Sequence, residues 1–268
     1  QRFTPMTTDS ERYQARKAQF DGMLTIYGRK PVLEALQNDA LAIHKLHIAD
    51  SNKPAAIIEQ IRSLAEQRQI EVQYLSRDAL ARISKNKKQD QGVAADLILE
   101  RYTTLDKLLS QGTLAKANML RLLAVDGVNN PQNLGMIIRS AAAGNIDYLI
   151  IPRQGCAQIE SLVIKASAGT VFKCPIVRCE RIEEAINAAK QHDITVSILD
   201  ANGDYSAFEA PEKPRLLILG NETSGLSTAS KNAADETLFI PMQNGVESLN
   251  VAVTAALLAY LPQLSKRP

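Results

Sequence analysis

The chain has 268 residues, 45% hydrophobic and 22% charged, a balance that fits a soluble globular protein and excludes both a disordered chain and a membrane span. Three cysteines, Cys156, Cys174 and Cys179, form neither a CxxC pair nor an even framework, so a reducing, cytoplasmic setting with no secretory leader is expected. The net charge of +2 is uneven: residues 1–117 carry 18 Lys and Arg against 14 Asp and Glu, and 118–268 carry 13 against 15, the profile of a separate polyanion grip.

Two domains of ordinary size fit this length. Residues 1–22 are polar, with Arg2, Arg12, Arg16 and Lys17 scattered and no sustained apolar period, and read as a flexible N-terminal arm. Regular patterning begins at Met23 with a short strand, a Gly28-Arg29 turn and a helix that has Pro31 in its first turn and Val32, Leu33 and Leu36 inside. Alternation over 41–50 predicts a strand with His44 and Leu46 on one face and His47 on the other, so the two histidines share no metal there. Ile57, Ile58, Ile61, Leu64 and Ala65 have helical spacing, 71–75 is strand-like, 77–83 is a short helix, and 84–99 runs from a basic loop into a strand. The order βαβαβαβ predicts a small α/β sandwich over 23–100. Lys85, Lys87 and Lys88, with Arg29, are candidate phosphate contacts, and a plain solvated loop is the competing reading. Residues 101–118, charged and lightly apolar, read as a linker.

From 119 to 268 strands alternate with helices, which predicts a mostly parallel sheet covered on both faces. The apolar run 120–125 meets a turn cluster at 126–131, and a helix opens near Gln132 with Leu134, Ile137 and Ile138 on one face. Asn133 falls in its first turn and Arg139 about two turns on, beyond the carboxyl end of a strand, where open α/β sheets bind ligands. Two later stretches repeat the design. A strand over 216–220 ends in GNETSGLS (220–227), and one over 237–242 ends in QNGVESLNVAVTAALLAYL (243–261), whose helix starts near Ser248 and Asn250. Taken singly, Asn133 and Ser248 are ordinary helix-start residues, and Glu222 either braces its loop or touches a substrate. Lys165 and Ser167 are expected at the surface.

The chemistry is narrowed by what the motifs lack. No GxGxxG opens a helix after the first strand of this half, there is no Walker loop, and His192 is its one histidine, so neither a dinucleotide fingerprint nor a Ser-His-Asp set is present. Amides, hydroxyls, one Glu, one Arg and glycine-bearing loops remain. Such groups suit an already activated donor, as in methyl transfer from a sulfonium, where the protein aligns and desolvates the acceptor and helps it lose a proton.

In order and spacing, over about the last 150 residues, the three stretches resemble the three motifs of the SpoU (TrmH-type) branch of the SPOUT RNA methyltransferases, with Asn133, Arg139, Glu222, Ser248 and Asn250 in register. The first half resembles the substrate-binding domain, akin to certain large-subunit ribosomal proteins, that precedes the catalytic domain in many of these enzymes; Tyr27-Gly28-Arg29 and Gln91-Gly92-Val93 lie at comparable positions. The resemblance implies S-adenosylmethionine (SAM) as methyl donor and no metal. It implies a ribose 2′-hydroxyl in structured RNA, ribosomal before transfer RNA, as acceptor. A homodimer and a C-terminal trefoil knot follow from it too, with SAM held by main-chain groups near Gly220, Ile240 and Leu249. It further implies that Arg139 acts on the hydroxyl across the dimer interface. Because a guanidinium stays protonated in proteins, the expected role is to stabilise the developing alkoxide or clamp the adjacent phosphate rather than to act as base. Asn133 is expected to position Arg139 or the ribose, Glu222 to orient its loop, and Ser248 and Asn250 to cap the last helix beside the pocket. The alternative is a knotted RNA-binding or ribosome-assembly protein with little transferase activity; SAM binding with methyl transfer separates the two.

Overall fold

A computed structural model describes residues 23–99, 101–116 and 119–264. The arm expected over 1–22, with its four basic residues, lies outside the described residues. The chain divides into two units, Gln1–Tyr102 and Thr103–Pro268.

In the first unit, strands β1 (Met23–Tyr27), β2 (Ala42–Ala49), β3 (Glu71–Leu75) and β4 (Val93–Ile98) form one sheet in the order β1-β4-β2-β3. β4 runs antiparallel to both neighbours, and β2 and β3 are parallel. Helices α1 (Arg29–Leu36), α2 (Ala56–Gln67) and α3 (Arg77–Ser84) connect the strands. The i, i+3, i+7 spacing of Ile58, Ile61 and Ala65 turns one stripe of α2 inward. Ile58 and Ile61 are fully buried with Leu46, Ile48, Leu80 and Leu97, each such side chain contributing roughly 1.5–3 kcal/mol. The open end of α1 is closed by Arg68, which donates to the carbonyls of Ala35 and Leu36. The strict alternation expected for β2 breaks at a register irregularity between Ile43 and Lys45. His47 is buried and shares a 2.8 Å hydrogen bond with Asp96, whose other oxygen accepts from Thr25.

The second sheet holds β5 (Tyr102–Thr104), which begins at the boundary between the units, and the second unit's strands β6 (Arg121–Val125), β7 (Tyr148–Pro152), β8 (Ile176–Cys179), β9 (Thr195–Leu199), β10 (Tyr205–Ser206), β11 (Arg215–Leu219) and β12 (Glu236–Phe239). Their order is β10-β12-β9-β11-β6-β7-β8-β5, and from β10 to β8 every pairing is parallel. The central strands are buried along nearly their whole length, as their unbroken apolar runs require. From β6 the chain steps outward to β7 and β8, then crosses to β9 and β11 on the other side. The switch point therefore lies between β6 and β11, where Val125 pairs with Leu219.

Helices α4 (Leu105–Ser110) and α5 (Thr113–Lys116) occupy most of the expected linker over 101–118. That segment is not a linker: Leu105, Leu108 and Leu114 are buried in the same apolar cluster as Leu120, Leu122 and Val177. The charges between these leucines hide a helical apolar face. The remaining helices are α6 (Pro131–Ala143), α7 (Ser161–Ala166), α8 (Ile182–Gln191), α9 (Thr228–Ala233) and α10 (Val251–Leu264). α6 packs against both α7 and α10. Small residues permit the second contact, since a Cβ on Gly144 would lie 2.7 Å from the Ala259 carbonyl oxygen. Contrary to expectation Ser167 is fully buried, its hydroxyl donating to the Ile164 carbonyl, while Lys165 is exposed.

Candidate active site

The site grows from the first turn of α6. Pro131 occupies a position where a missing N–H costs nothing, and Asn130 caps the helix by accepting from the N–H groups of Gln132 and Asn133 at 2.9 and 3.4 Å. Asn130 thus does the capping considered for Asn133. The Asn133 side chain, 7% exposed, instead donates through Nδ2 to Glu222 and accepts at Oδ1 from Asn250 Nδ2 at 3.2 Å. Asn250 in turn caps α10, its Oδ1 accepting from the N–H groups of Ala252 and Val253. One amide therefore joins the loops that follow β6, β11 and β12.

Two residues that the sequence reading did not single out hold these loops in place. Asp126 is buried at the end of β6, and its Oδ2 accepts from the Ser227 N–H at 2.8 Å and the Ser230 hydroxyl at 2.7 Å, tying β6 to the start of α9. Asn221 Nδ2 donates to the Gly127 carbonyl at 2.9 Å, while its Oδ1 accepts from the Thr223 and Ser224 N–H groups. Asn221, one position before Glu222, thus braces the same loop against the end of β6. The available signal was type and place: an Asp and an Asn immediately after, or one residue beyond, apolar strands, where their oxygens satisfy turn N–H groups. Gly220 serves the same fold, because a Cβ there would lie 2.6 Å from the Gly225 carbonyl carbon and 2.7 Å from the Leu226 nitrogen.

Other expected residues stand apart. Arg139, six positions beyond Asn133 and so turned about 120° away around the helix, is exposed and makes no hydrogen bond or ion pair with the described residues. Asn133 therefore does not position it within one chain. Ser248 is exposed two residues before Asn250 and does not cap α10. Ile240 and Leu249 are half-buried at the two ends of an irregular segment. Between them a turn closed by Val246 N–H to the Gln243 carbonyl has Asn244 and Gly245 at positive φ. The other amides of 243–249 have no partner among the described residues.

The cysteines are free and buried, and burial, reinforced by Glu184, pushes the Cys179 thiol up to about 12, out of reach of nucleophilic chemistry. Among the described residues no three His, Cys, Asp or Glu side chains gather as a metal site. No described helix is long and apolar enough to cross a membrane.

In the first unit the basic candidates separate. Lys87 pairs with Asp78 at 2.7 Å on the surface, and Lys85 is exposed at the left-handed end of α3. Arg29 and Lys88 line one open cleft of about 750 Å³.

The pattern of the SpoU rRNA methylase family matches residues 120–260, which takes in all three loops joined at Asn133. The chain belongs to the SpoU rRNA methylase family. A second match, described as RNA 2′-O ribose methyltransferase substrate binding, covers residues 25–103. Curated relatives named for the TrmH family of tRNA/rRNA methyltransferases include one from Staphylococcus haemolyticus, 30% identical over 239 residues, 88% of this chain and 94% of the relative. One from Staphylococcus aureus is 32% identical over 237 residues, 88% and 93% of the two chains. Among solved structures, the SpoU methyltransferase AviRb from Streptomyces viridochromogenes, in complex with AdoMet, shares the fold with a TM-score of 0.63 at 23% identity, over 98% of this chain and 96% of that one. This SpoU chain is thus a member of an RNA methyltransferase family, and Asn133, Glu222 and Asn250 meet at its switch point.

Proposed function

We propose that the protein is a SAM-dependent methyltransferase acting on a ribose 2′-hydroxyl of structured RNA, ribosomal before transfer RNA. The observation that carries this reading is the hydrogen-bonded chain Glu222–Asn133–Asn250, which draws three loops together beside the sheet's switch point. The names of the relatives and the substrate-binding match over residues 25–103 support the substrate.

The residues present fit SAM as donor. The unpartnered amides of 243–249, with the half-buried Ile240 and Leu249, supply main-chain groups, and no Cβ of Gly225 or Gly245 would meet an atom within 4 Å. These loops and Gly220 would hold the donor, which brings an activated methyl group. The protein has only to hold the acceptor in line and exclude water. On this reading Glu222, through Asn133 and Asn250, fixes the geometry of the loops around the acceptor.

Arg139 is the residue assigned to the acceptor itself. A guanidinium keeps its charge, so it stabilises the alkoxide as it forms or clamps the neighbouring phosphate, and takes no proton. Its separation from Asn133 within one chain favours service in a second copy. Met136, one turn before it, is 42% exposed, and Val253 of α10 is 49% exposed, an apolar flank for a homodimer. The knot of the C-terminal segment belongs to the same proposal.

The test is incubation of the purified protein with methyl-labelled SAM and total RNA from a strain lacking its gene, with Arg139→Ala in parallel. Label on a 2′-O-methylnucleoside, lost in the variant, is the expected result. SAM binding absent together with transfer would favour the non-catalytic RNA-binding alternative.

A further inference from the structure

The cleft in the first unit is lined by Arg29, Asn52, Lys53, Arg77, Lys88 and Gln91, with no carboxylate among its lining residues. Of the four cations on this concave wall only Arg77 has a carboxylate partner among the described residues, so the others are left to repel one another, an arrangement that an anion relieves. The two arginines are fixed before any ligand arrives. Arg29 Nε donates to the Gln91 carbonyl and its Nη2 to Asn52 Oδ1, both at 3.3 Å, and the Asn52 amide donates to the Gly92 carbonyl at 2.7 Å. Arg77 is held at 3.2 Å by Asp90, a fully buried carboxylate that also accepts from the Ser84 hydroxyl and the Gly92 N–H. Each guanidinium has five N–H donors, so these bonds set its plane and leave donors over.

Lys53 and Lys88 differ in kind. Both are exposed and make no ion pair or hydrogen bond with the described residues, so they add mobile charge at the rim. Gly92 makes the arrangement possible: at φ +77° it allows the close turn, and a Cβ there would collide with Asn52 and lie 2.8 Å from the Arg77 guanidinium.

We propose that this cleft is a phosphate-binding site that holds a phosphodiester of the substrate RNA, the planar arginines taking its oxygens and Lys53 and Lys88 neutralising the flanking backbone. The proposal rests on the reading of the protein as an RNA enzyme and deepens it by giving the RNA grip an address. Lys85 and Lys87 lie outside the cleft's lining and carry no part of it.

The experiment compares two double variants of the full chain with the same loss of charge: Lys53→Ala with Lys88→Ala, and Lys85→Ala with Lys87→Ala. The probe is end-labelled, fragmented ribosomal RNA in filter binding between about 50 and 200 mM salt, without SAM. The cleft pair is expected to weaken binding at least about tenfold at the lower salt and to reduce the slope of log K against log salt by about 1.4–1.8. The outer pair is expected to change the slope by less than half of that. Equal losses in the two doubles, no change in the cleft double, or no salt-dependent binding by the unaltered chain would each overturn the proposal. Methyl transfer is not read here, so a failed transfer assay leaves this outcome intact, and active transfer with equal losses removes the cleft alone.

Discussion

Asn250 donates to Asn133 Oδ1 at 3.2 Å while the oxygen of the same Asn250 amide caps α10. One side chain thus starts a helix and closes the site, and the two roles can be pulled apart. Asp caps a helix about as well as Asn but offers no donor to Asn133. Asn250→Asp is expected to keep its unfolding free energy within roughly 0.5–1 kcal/mol of the parent and to lose at least about tenfold in kcat/KM, the worth of one hydrogen bond. Urea unfolding and RNA methylation kinetics on the same preparation check this. Activity and stability both unchanged would mean that Asn250 is a cap and nothing more.

Asn133→Asp places a second carboxylate against Glu222, where Asn133 now donates. Two carboxylates in contact push one of the pair upward in the folded state relative to the unfolded chain. A raised folded value means that stability is full below the unfolded carboxylate range and falls as pH rises through the raised one. The variant is therefore expected to be less stable at pH 8 than at pH 5, relative to the parent, in denaturant titrations at the two pH values.

Arg139 and Asn133 are separated within one chain, so a shared-site dimer allows complementation. Arg139→Ala and Asn133→Ala are each expected to be inactive. Unfolded and refolded together in equal amounts, about half of the dimers are expected to be mixed, each with one complete site, so that roughly a quarter of the parent activity returns. A mixture as inactive as its components would place Arg139 in its own chain's site or outside the chemistry.

Arg121 Nη2 donates to the Leu258 carbonyl at 2.9 Å, and Pro262, four residues further on in α10, has no N–H to give it. The side chain of β6 replaces a helix hydrogen bond and so pins α10 to the sheet. Arg121→Met is expected to cost about 1.5–3 kcal/mol, as for a hydrogen bond from a charged donor. Adding Pro262→Ala should return a good part of that by restoring the helical donor. Urea unfolding of the four members of this cycle measures the coupling.

Glu236 is buried beside Ser197, Tyr205, Lys213 and Arg215. Burial alone would raise it; the hydrogen bonds of Lys213, Ser197 and Tyr205, with the charge of Arg215, outweigh that and bring it down to about 2. A folded value below the unfolded one means stability that is fully present above the ordinary glutamate value of 4.5 and lost as pH falls toward 2. Glu236→Gln is expected to flatten the acid limb between these limits while lowering stability at neutral pH, because Lys213 and Arg215 lose their carboxylate. Unfolding followed by circular dichroism between pH 2 and 7 measures both.

The sequence by itself determined the succession of strands and helices, the two-part organisation and the loops that carry the motifs. These follow from local physics: unbroken apolar runs such as that of β11 need a sheet buried on both faces, and the 3.6-residue stripe of Ile58, Ile61 and Ala65 needs a core. It even placed Asn133, Glu222 and Asn250 at the ends of elements. Their partners came from tertiary structure alone, because Asn133 meets residues 89 and 117 positions away, and an amide bonds whatever folding brings within hydrogen-bonding distance. The same reason explains why Asn130 rather than Asn133 is the cap, and why Lys88 lines a cleft while Lys87 is spent on Asp78. Composition also misled over 101–118, where Leu105, Leu108 and Leu114 find a core that their charged neighbours concealed. Periodicity states which face a residue takes; only the closed fold states what lies opposite.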